Sequence, residues 1–128
     1  MANAQELGPN TPLIGQPGSR ARLMTPALVL DLDAMERNIA HMQKFAGDHG
    51  VSLRPHCKTH KSIAIARRQI EAGALGIGAA TLGEAEVMGG AGIPGVLVTS
   101  PVIAGSKIDV LMALNRQADG LMQTVDNM

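Results

Sequence analysis

Eight consecutive residues, from Arg54 to Lys61, bring together several side chains able to do chemistry, and they read RPHCKTHK. Alternate side chains of a β-strand point to opposite faces, so a strand that reaches Lys58 places Arg54, His56 and Lys58 on one face. The apolar positions between them would pack against helices: Val51, Leu53, Pro55 and Cys57. Three basic groups on one interior face are costly unless an anion or an acid neutralises them. The run therefore indicates a site for an anionic ligand, and a phosphorylated cofactor would serve.

Lys58 is the candidate nucleophile of this run. Nearby cations and desolvation both favour the neutral form of a lysine amine, and a neutral amine forms a Schiff base with an aldehyde. The alternative is an ordinary solvated loop lysine. We expect Cys57, next to it, to be a packed thiol.

Two other interpretations of the run are weaker. His56 and His60, with Cys57 between them, would suggest zinc, but histidines four apart share a face only on a helix, and Pro55 disfavours a helix here. The cations would suit nucleic acid, but base stacking needs aromatic side chains, and the chain has one Phe and no Trp or Tyr. We therefore predict neither a metal site nor a nucleic-acid site.

Strand and helix patterns alternate around this run. Short apolar segments predict strands at 27–32, 51–56, 76–80, 95–100 and 121–126, with helices between them. Helix starts are expected at four capping residues: Asp33 and Thr81, each with Glu three positions later, and Ser62 and Ser106. One βα unit about every 20–25 residues predicts a parallel sheet, either a barrel or an open sheet. Active sites lie at the carboxyl ends of such strands, where polar residues cluster: His56 to Lys58, Thr81, Ser100 and Asp126 to Asn127.

Composition excludes several classes of protein. One cysteine among 128 residues excludes a disulfide framework and a cysteine-rich zinc module. Eleven basic and eleven acidic residues give zero net charge, which argues against binding nucleic acid or a membrane surface through bulk charge. Residues 1–24 hold three prolines and read as an irregular arm, with no signal peptide or membrane span. We expect a cytoplasmic protein whose folded part begins at residue 25.

The run from Arg54 to Lys61 resembles the lysine signature of the D-threonine aldolase and D-serine dehydratase-like family. Two further segments agree with that family: residues 25–31, TPALVLD, and residues 80–85, ATLGEA. Its members are pyridoxal-phosphate (PLP) enzymes with an alanine-racemase-like N-terminal (β/α)₈ barrel. The resemblance implies that Lys58 forms the Schiff base with PLP and acts as a base at the substrate α-carbon. It also implies that Arg54 and His56 lie close to the cofactor.

The same resemblance implies that residues 25–128 are part of a larger α/β enzyme. Residues 28–33 would pair with a separate C-terminal β-domain, so the barrel would begin at Val51 and this chain would supply four of its eight strands. The phosphate-binding segment, the ligands of a divalent metal and the second-subunit Tyr of the racemases have no counterpart in this sequence. We therefore expect an N-terminal portion, about half of the TIM-like barrel, that is inactive alone and belongs to a homodimer.

Two classes of function follow. The first is a PLP-dependent lyase of the D-threonine aldolase type, acting on small β-hydroxy D-amino acids, with D-serine dehydratase or an amino-acid racemase of the same fold as alternatives. The second is a non-catalytic module, either a PLP-handling protein or a degenerate half-barrel.

Overall fold

The computed structural model describes the backbone of residues 4–126 and the side chains of residues 8–126, and its contacts divide into two units, Met1–Leu32 and Asp33–Met128. The first unit contains two 3₁₀ helices, Ala4–Leu13, which is kinked at Gly8, and Ser19–Arg22. The Asn10 side chain closes this segment because it donates to the Met24 carbonyl and accepts from the Met24 N–H, at 3.2 and 2.9 Å.

The strand predicted at 27–32 is wrong. Residues 27–31 form no ladder within the described part of the chain, and helix α1 begins at Leu32. Asp33 therefore lies in the first turn of α1 rather than at its cap, and Glu36 pairs with Arg68 of the next helix instead of closing a capping box. A strand needs a paired neighbour, and the apolar side chains of this segment stay exposed: Leu28, Val29, Leu30 and Leu32.

The second unit alternates parallel strands with helices, as the βα rhythm predicts. Its helices are α1 (Leu32–Asp48), α2 (Ile63–Glu71), α3 (Leu82–Gly90) and α4 (Gly105–Asn115). Its strands are β1 (Gly78–Ala79), β2 (Leu97–Val98) and β3 (Met122–Gln123), parallel and in that order. They are shorter than the predicted segments. None of the described helices has both the length and the apolar character that crossing a membrane requires.

Residues 51–56 form a fourth parallel segment beside β1. The Leu75 N–H donates to the Leu53 carbonyl at 2.9 Å, the Gly78 N–H donates to the Pro55 carbonyl at 2.8 Å, and His56 makes a parallel bridge to Gly78. This pairing places the end of the RPHCKTHK run at the carboxyl edge of the sheet.

Side-chain caps set the starts of α2 and α3. Ser62 Oγ accepts from the Ile65 N–H and Thr81 Oγ1 accepts from the Glu84 N–H, so both predicted caps are confirmed. Helix α4 begins at Gly105 after Ala104, one residue before the predicted cap Ser106, and has no side-chain cap. Helix ends are the least certain feature of a sequence pattern because neighbouring residues compete for the same terminal N–H groups.

The core lies on the helix-facing side of the sheet. Small and branched residues from the parallel segments fill it with almost no exposure: Cys57, Ile77, Ala79, Val96 and Val98. They pack with buried residues of the helices, which include Ala66, Ala85, Met88 and Leu114. Because side chains alternate along each segment, Arg54 and His56 must lie on the opposite face.

Glycines let the segments approach closely on that opposite face. The register aligns Arg54 with a row of three glycines on the following segments: Gly76, Gly95 and Gly120. A Cβ at Gly76 would lie 2.0 Å from the Gly95 carbonyl oxygen, and Gly95 has a φ of 61°. This row therefore needs glycine both for space and for backbone conformation.

We predict opposite stability effects for two glycine substitutions. Gly76→Ala should lower the free energy of unfolding by about 3 kcal/mol, the upper end for overpacking, because its Cβ meets fixed backbone. Gly47→Ala, in α1 with open space around it, should raise that free energy by about 0.5–1 kcal/mol because alanine favours helix. Chemical denaturation measures both, and equal stability of the two variants would contradict the packing described.

Candidate functional site

The candidate lysine lies in a tight turn at the carboxyl end of residues 51–56. The extended segment ends at His56, as predicted for the strand at 51–56, and a 3₁₀ turn follows over Cys57–Thr59. Lys58 therefore lies in the turn and not on the strand. The Cys57 carbonyl accepts from the N–H groups of His60 and Lys61, at 3.1 and 2.7 Å. Lys61 leaves the turn with a φ of 48°, a left-handed conformation that is uncommon for residues other than glycine.

His56 supplies the local reason for this turn. Its Nδ1 accepts the backbone N–H of Lys58 at 3.3 Å, which takes that N–H away from any strand ladder. The Thr59 hydroxyl donates to the His56 carbonyl at 3.2 Å. The imidazole covers Gly78, where a Cβ would lie 3.5 Å from the ring, and its Nε2 lies 3.3 Å from Thr99 Oγ1.

The two lysines of the turn differ in their partners. Lys61 Nζ lies 3.7 Å from a Glu84 carboxylate oxygen, whereas the amine of Lys58 has no hydrogen-bond or ion-pair partner within residues 8–126. Lys58 is exposed at the edge of the sheet. The charge of Lys61 therefore has a partner, whereas Lys58 is exposed without one in the described part of the chain.

Arg54 lies on the same face as His56, two residues earlier, which is about 6.6 Å along an extended chain. Its Nε donates to the Gly95 carbonyl at 2.9 Å, and the side chain is half-buried. This bond anchors the guanidinium across the glycine row and leaves its terminal nitrogens for an anion. The structure thus places Arg54 and His56 on one face of the sheet, and Lys58 in the turn that follows His56 at the carboxyl edge.

Glu84 and Thr99 were not identified from the sequence as part of this site. The half-buried Glu84 carboxylate accepts from the Ala80 N–H at 2.8 Å, pairs with Lys61 and lies 4.0 Å from Cys57 Sγ. The capping pattern of α3 identified Glu84 only as a helix residue. The parallel register, once known, would have placed Thr99 at the same edge of the sheet as His56, with β1 between their two segments.

One group of side chains within the described residues has the composition of a metal site. Ligand atoms of His56, Cys57 and Glu84 lie within 4.8 Å of one another. Both His56 nitrogens already make hydrogen bonds, and Glu84 already faces the Lys61 cation. Burial, and next the charge of Glu84, raise the pKa of the Cys57 thiol above its usual range, which disfavours the thiolate that metals bind. The possible metal ligands His56 and Glu84 thus already make hydrogen bonds or ion pairs with other groups of the chain.

Parallel strands joined by helices define the class of protein, a portion of an α/β barrel. The chain belongs to the family described as alanine racemase, N-terminal domain, which it matches over residues 30–128. This match confirms the predicted family and the predicted fold class, part of a (β/α)₈ barrel.

Individual relatives agree with this assignment. The chain is 42% identical over 113 residues to a D-threonine aldolase of Arthrobacter sp, covering 88% of this chain and 30% of that protein. It is 44% identical over 105 residues to the D-threo-3-hydroxyaspartate dehydratase of Delftia sp. (strain HT23), covering 82% and 27%. The crystal structure of D-threonine aldolase from Filomicrobium marinum superposes with a TM-score of 0.80 at 45% identity, covering 84% and 29%. The chain thus spans less than a third of the length of these relatives.

His60 lies just after the lysine turn. Its surroundings predict that the free energy of unfolding depends on pH. Its Nδ1 accepts the Ser62 N–H at 3.0 Å. Burial lowers its pKa below the usual value of about 6.5, against smaller opposing effects of the nearby Gln69 side chain and the Ser62 backbone. As the pH falls below about 6.5 the unfolded chain binds a proton that the folded chain resists, so stability should fall until the pH passes the folded pKa.

Comparison with His60→Asn isolates this effect from the other histidines. Asparagine keeps an acceptor near the Ser62 N–H but does not titrate. Denaturation midpoints between pH 7.5 and 5 should fall more steeply for the natural chain than for the variant. Identical slopes would show that the folded pKa of His60 is not lowered.

Proposed function

We propose that this chain contains the lysine portion of a PLP-dependent lyase site for β-hydroxy D-amino acids, with Lys58 binding the aldehyde of the cofactor covalently. The observation that supports Lys58 is its free amine at the carboxyl edge of parallel strands, next to a second lysine that Glu84 neutralises. Active sites of such sheets lie at this edge. The expected roles of Arg54 and His56 near the cofactor are part of the same proposal.

The chemistry of the donor set fits the cofactor. PLP has an aldehyde, which suits a free primary amine, and a phosphate, which suits cationic donors such as the terminal nitrogens of Arg54. When bound, PLP acts as the electron sink for cleavage of a bond at the substrate α-carbon.

The residues of this chain have separable roles in that chemistry. Lys58 would hold the cofactor through its amine and would move a proton at the substrate α-carbon. His56 accepts the backbone N–H of Lys58, and its ring lies over Gly78. Arg54 contributes positive charge below them, anchored by the Gly95 carbonyl. The buried side chains behind the sheet keep these groups on one rigid face.

The names of the relatives support the substrate class. D-Threonine and D-threo-3-hydroxyaspartate are both D-amino acids with a β-hydroxyl, and they are aldolase and dehydratase substrates in the names of those proteins. This favours a lyase over a racemase of the same fold. Divalent-metal binding outside this sequence, a homodimer and a cytoplasmic location remain predictions from the resemblance and the sequence.

Borohydride trapping tests the role of Lys58. Incubation of the chain with PLP, reduction and peptide mapping should give a pyridoxyl adduct on Lys58 in preference to the other three lysines, because its amine is free and faces the site. Lys58→Ala should abolish the adduct, whereas the matched control Lys61→Ala should retain it. Labelling spread evenly over all lysines, or none at all, would overturn the proposal and favour a non-catalytic module.

A further inference from the structure

A chain of three hydrogen bonds runs from the backbone of Lys58 to the backbone of β1. The Lys58 N–H lies 3.3 Å from His56 Nδ1, His56 Nε2 lies 3.3 Å from Thr99 Oγ1, and the Thr99 hydroxyl donates to the Ala79 carbonyl at 3.1 Å. The chain links two backbone groups through two side chains that the sequence separates by 43 residues.

The two ends fix the direction of every bond in this chain. A backbone N–H only donates, so His56 Nδ1 must accept, and the proton of a neutral imidazole then lies on Nε2. A carbonyl only accepts, so the Thr99 hydroxyl proton points to Ala79 and its oxygen is left to accept from His56 Nε2–H. One tautomer of His56 satisfies both ends, and the other would point an N–H at the N–H of Lys58.

We propose that Thr99 is a positioning residue of the lysine site, which holds His56 in the Nε2–H tautomer and thereby fixes the backbone of Lys58. This inference rests on the proposed function of Lys58 for its catalytic meaning, but the hydrogen-bond chain can be measured without cofactor. Thr99 does not itself contact the lysine amine in this arrangement, so its effect passes through the imidazole.

The backbone explains why the Thr99 hydroxyl is well placed. Thr99 directly follows β2, and its own N–H donates to the Ala79 carbonyl at 2.8 Å, so main chain and side chain bind the same acceptor. Gly78 then lets the imidazole lie flat against the neighbouring segment. Thr99, at the end of β2, thereby fixes the orientation of the His56 ring, and the ring in turn holds the backbone N–H of Lys58.

Two substitutions separate the hydroxyl from the shape of the side chain. Thr99→Val keeps the volume and removes the hydroxyl, whereas Thr99→Ser keeps the hydroxyl and removes the methyl group. Nitrogen-15 NMR of the imidazoles should show an Nε2–H tautomer for His56 in the natural chain and in Thr99→Ser. A mixture of tautomers, with a shifted Lys58 amide resonance, is expected in Thr99→Val.

Borohydride trapping with PLP gives the second readout on the same three proteins. The rate of adduct formation at Lys58 should fall about three- to tenfold in Thr99→Val, the effect of one lost neutral hydrogen bond, and should recover in Thr99→Ser. An unchanged tautomer, or an unchanged rate, in Thr99→Val would overturn the proposal. If the natural chain forms no adduct at Lys58, the proposed function fails, and the tautomer and amide shifts alone decide the role of Thr99.

Discussion

The burial of alternate residues on four short parallel segments is the constraint on which the lysine site depends. Cys57, Ile77 and Val96 are fully buried against the helices. Successive side chains of an extended segment point to opposite faces. His56 pairs with Gly78, which lies between the buried residues Ile77 and Ala79, so His56 lies on the other face. Apolar packing on the helix-facing side of the sheet therefore sets the orientation of the residues on the other side.

The opposite face of the sheet, which carries Arg54 and His56, holds little side-chain volume. Arg54 and His56 are long polar side chains that lie across the backbone of the next segments, and His56 also contacts the Thr99 hydroxyl. Gly76 and Gly78 make this possible, because any larger residue at Gly76 would meet the carbonyl of Gly95. A face with little side-chain volume lets two cationic or titratable groups bond to backbone and leaves open the edge where Lys58 lies.

Local patterns predicted the parts of this structure that local interactions determine. The caps at Ser62 and Thr81 and the shared face of Arg54 and His56 follow from spacing alone. The strand at 27–32 was wrong because pairing depends on a neighbour that no local pattern reveals. The strand predicted at 51–56 ends at His56, and the ring of His56 takes the Lys58 N–H in the turn that follows. Thr99 was missed because its contact with the site depends on sheet register.

Lys58 and Lys61 lie in one turn but differ in their partners, because a carboxylate at the start of α3 pairs with Lys61. Lys61 is 72% exposed and Lys58 is exposed as well, so accessibility does not distinguish them. Glu84, 15% exposed, is held by the start of α3 and by the Ala80 N–H, and from there it faces Lys61. Such a partly exposed pair adds little stability. A carboxylate held at the start of α3 thus pairs with Lys61, whereas the Lys58 amine has no ion-pair partner in the described part of the chain.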